Sequence, residues 1–233
     1  GMICSNSPLA ATAGLKVLQQ GGNAFDAALA VAAVEAVTLV PLCGLGGDSF
    51  ILVHQGASGP IPGSRVTGGK VAGGKVTGIN SSGVAASGAT SDYYWNQGFK
   101  TMPLQGPHAV AVPGEVAAWE EMHQRFCTVP FAELLEPAIA YAQYGFPISP
   151  GIGVDLAAAA AKLAQFPASA ALLLPNGSPL AGGDTLINKD LAESLRLVAQ
   201  GGAQDFYRGD LAKRLVYGLN EAGGVFTDAD FAG

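Results

Sequence analysis

Charge is what this chain has least of. Lys, Arg, Asp and Glu make up 13% of 233 residues, against a usual quarter, and the balance is acidic at a formal -6. With no run of Lys and Arg to displace counterions, nucleic acid is excluded as a partner. Cysteine is scarce as well. Cys4, Cys43 and Cys127 are odd in number, widely spaced and form no Cys-x-x-Cys pair, so no metal site is predicted and the three are expected as buried free thiols. His54, His108 and His123 have no Ser or Cys partner at informative spacing, which leaves them surface or core roles. Long apolar runs are missing too. Ala27 to Leu42 contains Glu35 and is mostly Ala and Val, whereas a membrane span needs about 20 strongly apolar residues, so no membrane association is predicted. No basic segment precedes an apolar one at the start; no signal peptide is visible, so a cytoplasmic location is the expectation for the chain as given, and a periplasmic one if the true N-terminus lies upstream.

What is abundant is small and apolar: 33 glycines and 49% hydrophobic residues. A thinly charged chain of this kind cannot cover itself with polar surface, which predicts a face normally covered by a partner. The densest glycine stretch, Gly44-Leu45-Gly46-Gly47-Asp48, leads into the apolar run Phe50 to His54. It is read as a buried turn that uses positive φ, followed by a strand covered on both faces. It precedes a strand instead of opening a helix and lacks a following Lys-Ser or Lys-Thr, so neither the dinucleotide nor the phosphate-loop fingerprint applies.

Met2 to Ser5 is read as an edge strand. Ser7-Pro8 is an N-cap followed by proline, which predicts a helix over 9–20 packed through Ala11, Gly14, Leu15 and Leu18. Asn23 caps an alanine-rich helix from Ala24 to about Val37, buried on more than one side. A glycine-rich excursion over 55–78 joins two antiparallel strands, the second from Lys75 to Ile79. Ser91 caps a helix bearing Tyr93, Tyr94 and Trp95, and Ala109 to Val112 forms a strand ended by Pro113-Gly114. Helices then follow from Gly114 to Phe126 with Glu120 and Glu121 on its solvated face, Phe131 to Tyr144, Pro150 to about Gln165, Lys189 to Gln200 and Asp205 to Glu221. The fold class expected is α+β and mainly helical. The chain is read as a single domain, with strands and the excursion in 1–108 and a helical part in 109–233.

These residues carry a resemblance. Gly21-Gly22-Asn23-Ala24-Phe25-Asp26-Ala27, Gly44-Leu45-Gly46-Gly47-Asp48-Ser49-Phe50, Val112-Pro113-Gly114 and Phe206-Tyr207-Arg208-Gly209 resemble, in consistent order, the large-subunit N-terminus of the gamma-glutamyltranspeptidase family. The resemblance implies an N-terminal-nucleophile hydrolase, here a partial αββα sandwich incomplete without the small-subunit segment of the same precursor. It implies autoprocessing, a γ-glutamyl or related small amide as substrate, an N-terminal Thr that attacks it, and no metal or organic cofactor. No Thr here stands in the family's nucleophile context, so no catalytic residue is expected in this chain, which is read as a truncated large-subunit portion and, by itself, inactive. A homo-oligomer is compatible with the resemblance.

The family places an Arg for the substrate α-carboxylate in an Arg-Glu-x-Ala-Pro pattern. This sequence has Ser82 at the Arg position and Gly83 at the Glu, so Asn80-Ser81-Ser82-Gly83 is more similar to the branch of amidohydrolases that do not use glutathione. The candidate substrate-binding residues are Asn80, Ser81, Ser82, Gly46, Gly47 and Asp48, with Asp48 either orienting a substrate amine or capping its own loop. Arg65 or Lys75 would supply the clamp in a true γ-glutamyl transferase. A third reading is a non-catalytic binding or assembly module.

Overall fold

The computed structural model describes residues 1–56 and 74–233. Most of the glycine-rich excursion, with Arg65, lies outside the described residues. Helix α1 (Pro8–Gln19) starts as predicted, with the Ser7 side chain accepting from the Ala10 N–H. Its packing stripe is Ala10, Ala13, Gly14 and Val17, while Leu15 is exposed; the stripe lies one residue off the predicted one. Helix α2 (Ala24–Thr38) opens with a capping box between Asn23 and Asp26. Nine of its residues are buried, so it is apolar on nearly every side and serves as the central post of the molecule.

Around α2 pack α1, α4 (Glu115–Phe126) and α5 (Phe131–Tyr144), with α8 (Lys189–Arg208) behind α5. The largest fully buried side chains, among them Trp119, Leu134, Leu135, Leu195 and Phe206, come from this helical layer. Asp26 is also fully buried and joins α2 to the connection after α4, where Thr128 and Val129 donate to it. Helices α6 (Pro150–Leu163) and α7 (Pro167–Leu173) form an outlying pair, and α9 (Asp210–Glu221) and α10 (Asp228–Ala232) close a second small core.

Strands β1 (Ser49–Gly56) and β2 (Gly74–Ser81) pair antiparallel, with Ser49 opposite Ser81 and Leu52 opposite Gly78. The short β3 (Phe146–Pro147) and β4 (Thr185–Leu186) pair separately. A mainly helical α+β chain with a small sheet is therefore what the molecule presents.

Several expectations are corrected. Met2 to Ser5 forms no strand, because Ile3 packs against the helical core and the Ser5 hydroxyl turns to Glu35. Among the described residues β1 is covered on one face only: Phe50 and Leu52 are 71% and 83% exposed, while Val53 is buried. Ala109 to Val112 is a 3-10 turn and irregular chain, held by single bonds such as Val112 N–H to the Val84 carbonyl at 2.8 Å. Helix α3 (Ser91–Asn96) is capped by Thr90, one residue before the predicted Ser91. The helix expected from Asp205 is broken at Gly209, and α8 is kinked at Gly202 (φ 61°, ψ -156°), where Glu120 accepts from the Ala203 N–H. Glu120 is thereby drawn off the solvated face that Glu121 keeps. The thiols are free, yet Cys4 and Cys43 are exposed and Cys127 is half-buried.

Candidate functional site

β1 and β2 run so that the start of one lies beside the end of the other, and this places the glycine turn against Asn80-Ser81-Ser82-Gly83. The Asp48 carboxylate accepts from the Gly83 N–H at 2.8 Å and from the Ser82 hydroxyl at 3.3 Å. Asp48 thus fastens the second segment and does not cap its own loop. Asn80 Oδ1 accepts from the Ser82 N–H at 3.1 Å, an Asx turn that shapes the loop as it leaves β2. The Gly47 carbonyl accepts from both the Gly114 and the Glu115 N–H at 2.9 Å, docking the glycine turn on the first turn of α4. Ser81 Oγ donates to the Gly114 carbonyl at 2.7 Å. Gly47, Asp48, Asn80, Ser81 and Ser82 are thus linked by hydrogen bonds around Gly83 and Gly114, while Gly46 lies in the adjoining turn and makes no such contact.

The glycine turn departs from expectation in two respects. Gly44, Gly46 and Gly47 are not among the glycines with positive φ, and of residues 41–48 only Leu45 is buried. What the glycines supply is room: nothing would touch a Cβ at Gly44 or Gly46, and the turn borders an open cleft of about 540 Å³ with Glu35, Cys43, Asp48 and Glu115 on its walls. The close approach lies elsewhere. A Cβ on Gly83 would overlap the Val112 carbonyl oxygen, and one on Gly114 would overlap that of Ser81. Segments 81–84 and 112–114 therefore lie side by side, backbone against backbone.

Two residues that were not among the candidates complete the cluster. Glu115 accepts from Trp119 Nε1 and from the Ser49 side chain; burial pushes its carboxyl above the usual range, with Asp48 and Glu35 adding to the shift. The Tyr207 hydroxyl donates to the Pro113 carbonyl at 2.7 Å and accepts from the Ala117 N–H at 3.2 Å. Sequence spacing cannot pair residues more than ninety positions apart; Pro113-Gly114 and Phe206-Tyr207-Arg208-Gly209 were the available signals.

The histidines stand apart. The His123 ring nitrogen Nε2 is 2.9 Å from the Val129 carbonyl, His108 packs among Tyr93, Tyr94 and Phe99, and His54 is exposed on β1. Lys75 pairs with Gln55 at the opposite end of the sheet from Ser81, about 20 Å away along the strand. Among the described residues no group of His, Cys, Asp and Glu side chains is arranged to hold a metal ion, and no helix is long and apolar enough to cross a membrane.

The gamma-glutamyltranspeptidase family model matches residues 10–233. The chain belongs to that family. The glutathione hydrolase-like YwrD proenzyme of Bacillus subtilis is 37% identical over 231 residues, which cover 99% of this chain and 41% of the relative. An acylase ACY 1 proenzyme of a Pseudomonas strain is 35% identical over 234 residues, 100% of this chain and 40% of the relative. Among solved structures, Helicobacter pylori gamma-glutamyltranspeptidase superposes with a TM-score of 0.87 at 29% identity, covering 100% of this chain and 63% of that one. Cephalosporin acylase from Bacillus halodurans gives 0.84 at 31% identity, covering 97% and 40%. This gamma-glutamyltranspeptidase-family chain spans about two-fifths of the length of these curated relatives, which are proenzymes.

Proposed function

We propose that this chain is the large-subunit N-terminal portion of a gamma-glutamyltranspeptidase-like amidohydrolase or acyltransferase. It helps bind a small γ-glutamyl or related amide, while an N-terminal Thr on further polypeptide performs the attack. The observation that carries this reading is the placement of the Asp48–Ser82–Gly83 cluster. It lies at the end of a two-stranded sheet whose outer face exposes Phe50, Leu52 and Val76 alongside His54 and Asn80 and is not covered by the described residues. A soluble protein keeps such a face for a partner layer. The partner is a small-subunit segment of the same precursor, completing an αββα sandwich and placing the nucleophile over the cluster.

Ser82, at the place where the family pattern carries a carboxylate-binding Arg, favours the acylase-like branch over glutathione itself. Among the described residues no Lys or Arg lines the cleft beside the glycine turn, while Arg208, which donates to the Ala232 carbonyl, lines the neighbouring cleft bordered by Ser82 and Gly83, so a substrate carboxylate meets no guanidinium fork on the glycine-turn side. The full-length precursor should process itself, then cleave a simple N-acyl amide at a higher kcat/KM than a γ-glutamyl anilide. Robust anilide turnover that Arg65→Ala abolishes would instead assign a γ-glutamyl transferase with its clamp in the glycine-rich segment. A processed protein inactive on both substrates would leave a binding or assembly module.

A further inference from the structure

The first turn of α4 begins with an N-cap, Gly114, that has no side chain to satisfy the helix's free N–H groups. Two sources outside the helix do so. The Gly47 carbonyl takes the Gly114 and Glu115 N–H groups, and the Tyr207 hydroxyl takes that of Ala117. The same hydroxyl donates its proton to the Pro113 carbonyl at 2.7 Å. One side chain of α8 thereby grips both the last residues of the 112–114 segment and the helix that follows them.

That segment is the backing of the Ser82–Gly83 loop. Gly114 accepts from Ser81 Oγ, Val112 donates to the Val84 carbonyl, and the contact at Gly83 and Gly114 is too close for any side chain to intervene. A shift of Pro113 and Gly114 is therefore passed directly to Ser81 and Gly83. The Tyr207 ring is itself held, lying edge-on to Phe206 with centroids 4.8 Å apart. Burial pushes its hydroxyl up to about 12, so the group remains a neutral donor at any working pH.

We propose that Tyr207 is a positioning residue for the Ser82–Gly83 loop, setting the loop through Pro113 and Gly114. This rests on the reading of that loop as substrate-facing. The test is Tyr207→Phe in the full-length enzyme, which keeps the ring and removes both hydroxyl bonds, with the exposed Tyr217→Phe as control. Two readouts are taken: steady-state kinetics on the amide substrate, and hydrogen exchange at the Gly83 and Gly114 amides. KM should rise roughly threefold to tenfold with kcat within about twofold, and both amides should exchange faster by a similar factor. Ser81→Ala, which cuts the link from the other side, should speed exchange at the Gly83 and Gly114 amides alike if Tyr207→Phe folds poorly. Unchanged exchange at Gly83 and Gly114, or a lowered thermal midpoint with KM unmoved, would overturn the proposal. If the wild type cleaves no amide, the functional reading fails while the exchange result still decides whether Tyr207 sets the loop.

Discussion

Replacing Asp26 with Asn should cost this chain more stability than any other change that conserves side-chain shape. The carboxylate is fully buried, and its two oxygens divide four donors. Oδ1 accepts from Thr128 N–H at 2.8 Å and Val129 N–H at 3.1 Å, and Oδ2 accepts from Asn23 N–H at 2.7 Å and Thr128 Oγ1 at 2.8 Å. An asparagine oxygen can keep the first pair. Its NH2 then faces the Asn23 N–H, a donor that cannot reverse as the Thr128 hydroxyl can, and leaving it unpaired costs about 1–3 kcal/mol. The surviving bonds also fall from charge-assisted to ordinary strength, so the sum is about 3 kcal/mol. For a chain of this size that is a fall of about 9 °C in thermal midpoint. Circular dichroism melts of wild type and Asp26→Asn measure it, with the exposed Glu193→Gln as control. Acid adds a second signature. Burial alone would raise the carboxyl, but its hydrogen bonds outweigh burial and hold it below 3.8. A carboxyl lowered on folding contributes stability that is complete above its unfolded value and is lost as pH falls through its folded one. The two melting curves should therefore converge below about pH 4. A midpoint difference under about 3 °C at pH 7, or no convergence, would refute the assignment of Asp26 as the tie between α2 and the α4–α5 connection.

Glu115 should act with the opposite sign. Its carboxyl is raised on folding, foremost by burial, so stability falls as pH rises from the ordinary value of 4.5 towards the folded one; Glu115→Gln should flatten that slope in pH-dependent denaturant titrations. Gly114→Ala must push Ser81 away and should lower stability by about 2 kcal/mol or more in the same titrations. Asp48→Ala frees Ser82 and Gly83 at an exposed site, so KM for the amide substrate should rise about tenfold with the thermal midpoint within about 3 °C of wild type. The isolated 233-residue chain should bind a hydrophobic dye at the open sheet face, and Leu52→Asp should reduce that fluorescence while blocking activity in the full-length protein.

Local chemistry was legible in the sequence, and distant chemistry was not. Ser7-Pro8, Asn23 and Asn188 announce helix starts because a cap needs only its own next three residues. The apolar run Phe50 to Val53 was ambiguous for a physical reason: an uninterrupted run says that a strand is apolar, not which face the same chain covers. The misreading of Met2 to Ser5 has the same origin, since Ile3 packs on the helices while no strand among the described residues pairs with it. At the site, the motifs led to the glycine turn and to Asn80-Ser81-Ser82-Gly83, which the structure sets side by side at one end of the sheet. Glu115 was not legible, and Tyr207 stood in the Phe206-Tyr207-Arg208-Gly209 motif without its role, since both depend on Ser49 and Pro113, which only folding brings near.

The backbone contact between Gly83 and the segment ending at Gly114 also sets terms for any attempt to retune the loop proposed to face substrate. Mutational libraries aimed at the pocket can vary Asn80 and Ser82, whose side chains stand at the surface. They should hold positions 83 and 114 invariant, since every variant there spends its diversity on misplacing the scaffold before selectivity is sampled.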